Sequence, residues 1–199
     1  MGSRVSAALF DKGYDVVSVS RSSPSDQASR IKANTGKMPS IRFESLDATT
    51  DDLSGVMQGA SVVVSCMGIP PWDKSAARAG NGLANARVAD AAKAAGVKKF
   101  VYVSVATEFS NSPAKFLFGD YFKGKSEADA AIAKDFGSDA VFVKPGILDG
   151  APPGEIRPPG PPGMAAISPD YVAKAAVAGV LGQLSGSVDG YDAIMAIAK

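Results

Sequence analysis

The chain contains no histidine and only one cysteine, Cys66, among its 199 residues. Without imidazole it cannot form a Ser-His-Asp triad, a Cys-His pair or a histidine-bound zinc site. A single cysteine also excludes an internal disulfide and a cysteine-only metal site. No basic cluster lies near Cys66 in the sequence, so we interpret it as a buried apolar residue rather than a reactive thiol.

Long apolar runs and an excess of one charge are missing too. No run approaches the ~20 apolar residues of a membrane-spanning helix, and the amino-terminal residues lack the apolar core and cleavage site of a signal peptide. The net charge is +1, with lysine and arginine spread along the chain, so no basic field indicates nucleic-acid binding. The composition is that of an ordinary globular protein, and the length favours a single domain over residues 1–199.

What the sequence does contain is a regular alternation of short apolar runs and longer amphipathic segments. Strands are predicted at residues 15–20, 41–46, 61–66, 100–105, 140–144 and 191–197. Helices are predicted at residues 3–12, 25–33, 51–58, 82–95, 120–135 and 168–184. This alternation predicts an α/β fold with a doubly wound parallel sheet. The proline- and glycine-rich residues 151–163 are predicted to form a long loop, and a proline-rich docking ligand is the less favoured alternative.

The stretch from Lys98 to Lys125 joins a predicted strand, a polar loop and a helix that carries Tyr121 and Lys125. Residues four apart share one face of a helix, so this phenol and this ammonium are expected to point the same way. A cation beside a phenol would lower the tyrosine pKa, which suits a general acid or base for carbonyl or alcohol chemistry. The alternative is an ordinary amphipathic helix surface, because chance often supplies Tyr-x-x-x-Lys.

Seven short motifs follow one another along the chain in a characteristic order. They are GSRV at 2–5, VSRS at 19–22, LDA at 46–48, SCMG at 65–68, NGLAN at 81–85, AGVKKFVYVS at 95–104 and KPG at 144–146. In order and spacing they resemble the atypical, NAD(P)-binding short-chain dehydrogenase/reductase superfamily. More narrowly, the chain resembles an organellar group that includes the ubiquinone-biosynthesis reductase-like protein and the nucleotide-binding accessory subunit of respiratory complex I.

The resemblance implies a Rossmann-like fold, a nicotinamide cofactor and a mitochondrial or plastid location. It leaves two functions open. The first is an oxidoreductase that transfers hydride to a small carbonyl or quinone-like substrate. The second is a non-catalytic nucleotide-binding protein that assembles with subunits of a membrane complex.

One element expected of such a fold is missing from the sequence. A dinucleotide-binding sheet begins with a strand and a glycine-rich turn, whereas this chain starts on the helix, with Gly2 in the place of the last glycine. The missing strand is central in the order 3-2-1-4-5-6, so the strands at 15–20 and 41–46 should lack a partner in the other half of the sheet. We favour the remainder of a longer protein over a gap filled by another segment or chain, or a sheet that has closed differently. Gly2 either approaches the pyrophosphate or is a disordered terminal residue.

The resemblance assigns several residues to the cofactor. Arg21 ends the second predicted strand, where an acidic residue would bind a ribose hydroxyl and an arginine would accommodate a 2′-phosphate. NADP is therefore expected, with NAD as the alternative, although Arg21 could be a plain surface residue. Ser22 and Ser23 could add phosphate hydrogen bonds. Asp47 either frames the adenine or forms a turn before Thr49.

Further cofactor contacts are expected where parallel strands end, because ligands of open α/β sheets bind there. The residues concerned are Met67 and Gly68 after one strand, Pro145 after another, and Lys125. Asn81 matches a helix asparagine of the superfamily, and an N-cap is the alternative role.

The resemblance implies that Tyr121 donates a proton and that Lys125 binds the nicotinamide ribose and tunes the tyrosine. The superfamily's serine aligns best with Val105, one residue after Ser104. A slip of one residue on a strand turns the side chain to the opposite face, so the candidate Ser104 would point into the sheet packing, and Thr107 is the alternative. Trp72 and residues 116–118 could line an apolar, quinone-like pocket or simply pack.

Overall fold

A computed structural model describes residues 1–149 and 165–198. The strands are β1 (Val17–Ser20), β2 (Arg42–Ser45), β3 (Val62–Ser65), β4 (Lys99–Val103), β5 (Ala140–Lys144) and β6 (Gly186–Asp189). The helices are α1 (Gly2–Asp11), α2 (Pro24–Thr35), α3 (Ser54–Met57), α4 (Lys74–Asn81), α5 (Leu83–Ala94), α6 (Thr107–Asn111), α7 (Gly119–Phe136), α8 (Pro169–Val180) and α9 (Tyr191–Ala198). The loop predicted at 151–163 lies outside the described residues.

The strands form two parallel sheets. One contains β1 and β2, and the other has the order β3-β4-β5-β6. The alternating α/β pattern and the parallel pairing confirm the predicted fold class. In the described part of the chain β1 and β3 belong to different sheets, as expected for a doubly wound sheet without its first strand.

Helices cover the four-stranded sheet on both faces. On one face, α1, α8 and α9 pack against alternate strand residues such as Val101 and Val143. On the other, α3, α5 and α7 pack against residues such as Phe100 and Tyr102. Double coverage explains why β3 and β4 are almost continuously apolar in sequence, because each side chain of such a strand meets a helix.

A cleft of about 1470 Å³ is lined by both β1 and β3, together with the helices on either side. Val17 and Val19 line it from β1, and Val62 and Val64 line it from β3. Val19 is 38% exposed, which is unusual for an apolar residue of a parallel strand. Apolar side chains of both strands therefore line the gap between the two sheets.

The prediction of a strand at 191–197 is wrong, because these residues form α9. The strand lies just before them, and Gly190, with φ +87°, ends it. Ile194 and Ala198 are four residues apart and both are buried, which is the spacing of a helix face.

Helix α4 was not predicted, although Asp73 caps it by accepting from the Ala76 N–H. Ser168 and Pro169 begin α8 as predicted.

If the cleft is open in solution, Val19→Thr will change the free energy of unfolding by no more than about 0.5 kcal/mol, because the added hydroxyl can reach water. The matched change Val143→Thr, at a fully buried position, should cost about 1–3 kcal/mol because its hydroxyl would be buried. Urea unfolding of both variants measures the difference. Equal, large losses would show that the cleft is closed.

Candidate functional site

Lys125 is the centre of the candidate site. It lies on α7, is only 4% exposed, and its Nζ donates to the carbonyl oxygens of Met67 at 3.2 Å and Val103 at 3.1 Å. These carbonyls lie at the carboxyl ends of β3 and β4. The ammonium also lies 4.9 Å from the centroid of the Tyr102 ring. Lys125 therefore sits at the sheet edge where open α/β proteins bind ligands.

Burial governs the ionisation of Lys125. It lowers the pKa of the ammonium to about 8, and the opposing influences of Asp129 and Cys66 only reduce that effect. Two carbonyl dipoles and one aromatic face hold the charge in place of water. The pKa of this amine is therefore much closer to neutral pH than that of a surface lysine.

Tyr121 is half-buried and packs with Val105, Phe109 and Phe122. Its ring lies edge-on to Phe122, with 5.3 Å between the centroids. Burial raises the pKa of the phenol to about 12, so the expected lowering by Lys125 is wrong for this structure. The physical reason is that the Lys125 ammonium is directed to two backbone carbonyls, while Tyr121 rests in an apolar cluster.

The three positions considered for a hydroxyl partner of Tyr121 lie in different surroundings. Ser104 is buried, and its Oγ has no hydrogen-bond partner among the described residues. Val105, the position aligned with the superfamily's serine, packs in the same apolar cluster as Tyr121. Thr107 is exposed, and its Oγ1 donates to Asp189 at 2.5 Å. In the described part of the chain, no hydrogen bond joins Ser104 or Thr107 to Tyr121.

Asn81 is fully buried and joins the loop after β3 to α4. Its Nδ2 donates to the carbonyls of Ile69 at 2.9 Å and Ala77 at 2.7 Å, and its Oδ1 accepts from the Ile69 N–H at 3.3 Å. The alternative N-cap role is wrong, because the side chain faces this loop and Gly82 is the N-cap of α5. Asn81 thus holds the backbone beside Gly68.

The close packing of Asn81 and Lys125 against the backbone favours glycine at position 68. A Cβ at this position would lie 3.0 Å from Asn81 Oδ1 and 3.5 Å from Lys125 Nζ. A side chain would therefore disturb both polar groups. The predicted pair Met67 and Gly68 does lie beside Lys125, with Met67 contributing its carbonyl.

The amino terminus of α1 lies next to the carboxyl end of β3. A Cβ at Gly2 would be 3.9 Å from the Cβ of Cys66, so helix and strand approach closely here. Burial raises the pKa of the Cys66 thiol to about 11, which agrees with an apolar rather than a reactive role. The free N–H groups of a helix start suit an anion such as a phosphate.

The residues predicted to bind the 2′-phosphate and the adenine lie after β1 and β2. Hydrogen bonds from Thr49 lower the pKa of the Asp47 carboxyl most. The positive charge of Arg21, which follows β1, lowers it further. Asp47 Oδ1 accepts from the Thr49 N–H at 2.8 Å and Oγ1 at 2.6 Å, which is the turn-forming alternative. Ser23 caps α2 by accepting from the Asp26 N–H, and the Ser22 carbonyl accepts from Gln27.

The remaining predicted residues lie around the rim of the site. Pro145 is buried, and its carbonyl accepts from the Ala106 N–H at 2.8 Å. Trp72 is 56% exposed and Phe116 is 82% exposed, while Phe118 packs in the cluster around Tyr121. Trp72 and Phe116 are thus exposed at the surface, whereas Phe118 packs inside an apolar cluster.

Three residues near Lys125 were not predicted from the sequence. Tyr102 lies under the ammonium, Asn85 donates to the Asn81 carbonyl at 2.9 Å, and Asp129 lies one helical turn after Lys125. A signal existed for two of them, because Asn85 and Asp129 each follow a recognised residue by four positions on a helix. In the sequence, nothing distinguishes Tyr102 from the apolar residues beside it in the same strand.

The lowered pKa of Lys125 predicts a stability that rises with pH. Between about pH 8 and about pH 10.4 the unfolded chain binds the proton that the folded chain has lost, so the free energy of unfolding increases, by up to about 3 kcal/mol. Lys125→Met should lack this increment. Urea unfolding of both proteins from about pH 7 to about pH 10 measures it, and parallel curves for the two proteins would contradict the burial of a charged Lys125.

Comparison with known proteins identifies the family and the fold. A family model described as NAD(P)H-binding matches residues 1–182. An uncharacterized chloroplastic protein of Arabidopsis thaliana is 32% identical over 151 residues, which cover 75% of this chain and 48% of that protein. The chain thus spans about half the length of this relative.

Solved structures share the fold at low sequence identity. A putative NAD-dependent epimerase/dehydratase from Bacillus halodurans has a TM-score of 0.68 at 17% identity, over 93% of this chain and 86% of that one. The UDP-glucuronic acid 4-epimerase of Bacillus cereus, in complex with NAD, has a TM-score of 0.58 at 19% identity, over 74% and 53%. Nothing in these matches supports the narrower organellar quinone or complex I group. The chain belongs to the NAD(P)H-binding family and has the Rossmann-like α/β fold of NAD-dependent epimerases.

Proposed function

We propose that the protein is an NADP(H)-dependent oxidoreductase of the atypical short-chain dehydrogenase/reductase type, acting on a small carbonyl or quinone-like substrate. The observation that supports this most is the position of Lys125, whose buried ammonium lies at the ends of β3 and β4 on the helix that carries Tyr121. A buried amine at this edge, with its pKa lowered to about 8, is typical of a functional site.

Four features of the described residues support the binding of a nicotinamide dinucleotide. The N–H groups at the start of α1 suit the pyrophosphate. Gly68 lets the backbone approach Asn81 and Lys125 closely, because a Cβ there would lie only 3.0 Å from Asn81 Oδ1. Arg21 at the end of β1 would hold a 2′-phosphate, and Lys125 would bind the nicotinamide ribose.

When bound, the nicotinamide supplies the hydride, and the side chains supply the proton and the orientation. The raised pKa of about 12 keeps Tyr121 protonated at neutral pH, so its phenol can donate to a carbonyl oxygen that gains negative charge. Lys125 would turn from the carbonyls of Met67 and Val103 toward the ribose. Its ammonium would then favour the phenolate that remains after the proton has left.

A second candidate function is a non-catalytic, nucleotide-binding protein of an organellar assembly, in which bound nucleotide stabilises the fold by mass action. The specific observation behind it is the tyrosine's surroundings, where Val105 takes the place of a serine and the Ser104 hydroxyl is buried elsewhere. The chloroplastic relative is consistent with a plastid location. None of the helices in the described part of the chain has the length and apolar character of a membrane span.

Tyr121→Phe separates the two candidates. For an oxidoreductase, loss of the phenolic proton should lower kcat/KM for NADPH-dependent reduction of aldehydes or short-chain quinones by about 10²–10⁴-fold. The Kd for NADPH should change by less than about twofold, since the ring remains. Tyr191→Phe, a half-exposed tyrosine on α9, is the matched control and should keep full activity.

An accessory protein would give a different pattern. Wild type and Tyr121→Phe would both bind NADPH, measured by calorimetry, and neither would oxidise it with any substrate. Unchanged turnover in Tyr121→Phe would reject the proposed role of this residue outright.

The preference for NADP can be tested at Arg21. A charge-assisted contact with the 2′-phosphate contributes about 1.5–3 kcal/mol, so Arg21→Ala should weaken NADPH binding by about 10- to 100-fold and leave NADH binding unchanged. Lys32→Ala, at an exposed position of α2 outside the lining of the cleft, is the control and should affect neither cofactor. Equal weakening of both cofactors, or of neither, would contradict the assignment.

A further inference from the structure

Two lysines lie over two neighbouring rings on one face of the four-stranded sheet. Tyr102 of β4 and Phe142 of β5 are register partners, so their rings are adjacent. Lys125 Nζ lies 4.9 Å from the Tyr102 centroid, and Lys144 Nζ lies 5.6 Å from the Phe142 centroid. The two cations are thus held side by side above the sheet.

Asp129 connects these two cations. Its Oδ2 pairs with Lys144 Nζ at 2.8 Å, and both side chains are mostly buried. Asp129 also follows Lys125 by four residues on α7, so both project from the same helix face. Its second oxygen, Oδ1, is buried and has no hydrogen-bond partner in the described part of the chain. One carboxylate therefore faces two lysines, and one of its oxygens is still available.

The other titratable groups around Lys125 do not compete with this carboxylate. Cys66 lies near the ammonium at the end of β3, Tyr102 lies under it on β4, and Tyr121 lies one helical turn before Lys125 on α7. Burial raises the pKa of each of these three groups, so all are uncharged at neutral pH. Asp129, itself paired with Lys144, therefore remains as the negative charge that acts on Lys125.

We propose that Asp129 is a positioning residue for Lys125, and that Lys144 limits its influence by sharing the same carboxylate. This rests on the proposed function, in which Lys125 must leave two backbone carbonyls and turn toward a ribose. The unpartnered Oδ1 keeps an anion near the ammonium during that movement. Lys144 holds the other oxygen, and so it prevents Asp129 from binding Lys125 too tightly to be released.

The proposal predicts opposite effects of two substitutions. Asp129→Asn removes the anion and should lower the Lys125 pKa by about one unit, because burial is then less opposed. Lys144→Met removes the competing cation and should raise the Lys125 pKa, by up to about one unit. The Nζ ionisation is followed by NMR of the Cε signal in ¹³C-lysine-labelled protein, from about pH 6 to about pH 11, and Lys125→Arg assigns the signal.

Controls distinguish this role from a merely structural one. Glu127→Gln removes a carboxylate from the same helix that pairs with Arg78 on the surface, so it should leave the Lys125 titration unchanged. Shifts in the same direction in Asp129→Asn and Lys144→Met, or no shift in either, would overturn the proposal. If Asp129→Asn does not fold, Lys144→Met alone decides, since a fall or no change contradicts the shared carboxylate.

The titration needs neither cofactor nor turnover. Opposite shifts in a protein that never oxidises NADPH would therefore support the charge arrangement and reject the oxidoreductase function. NADPH oxidation without these shifts would support the oxidoreductase function and reject the charge arrangement.

Discussion

The site depends on one buried cation. The Lys125 ammonium is tied to the carbonyls of Met67 and Val103, so a single side chain connects the ends of β3 and β4. A charge can remain in such a place only when dipoles, rings or counter-charges replace its water. The ring of Tyr102, the carboxylate of Asp129 and the small size of Gly68 all follow from that constraint.

The same constraint explains why Tyr121 and Lys125 differ in their surroundings although they share a helix face. The amine needs polar partners, and it finds them at the sheet edge. The phenol keeps its proton in an apolar cluster around Val105 and Phe122. Ligand-free geometry of catalytic groups is commonly looser than that of the working complex, so the two side chains need not touch before a nucleotide binds.

Much of the fold could be predicted from the sequence, because its strands and helices differ clearly in their apolar periods. The separation of β1 and β2 from the other strands was also predictable, since Gly2 opens a helix that normally follows a strand and a glycine-rich turn. The segment at 191–197 was not, because a short apolar run fits a strand and a helix almost equally. Within the site, the residue types of Tyr121 and Lys125 were recognisable. Their pKa values were not, because ionisation depends on burial and on partners distant in sequence.

The cleft between β1 and β3 has a consequence for cooperativity. With these strands in separate sheets, the two parts of the fold are coupled through helix packing instead of a shared ladder. Local opening of β1 and β2 can then occur while β3 to β6 stay intact, as in proteins with independently exchanging units. A dinucleotide that reached from Arg21 to Lys125 would span both units, and its binding would join them into one.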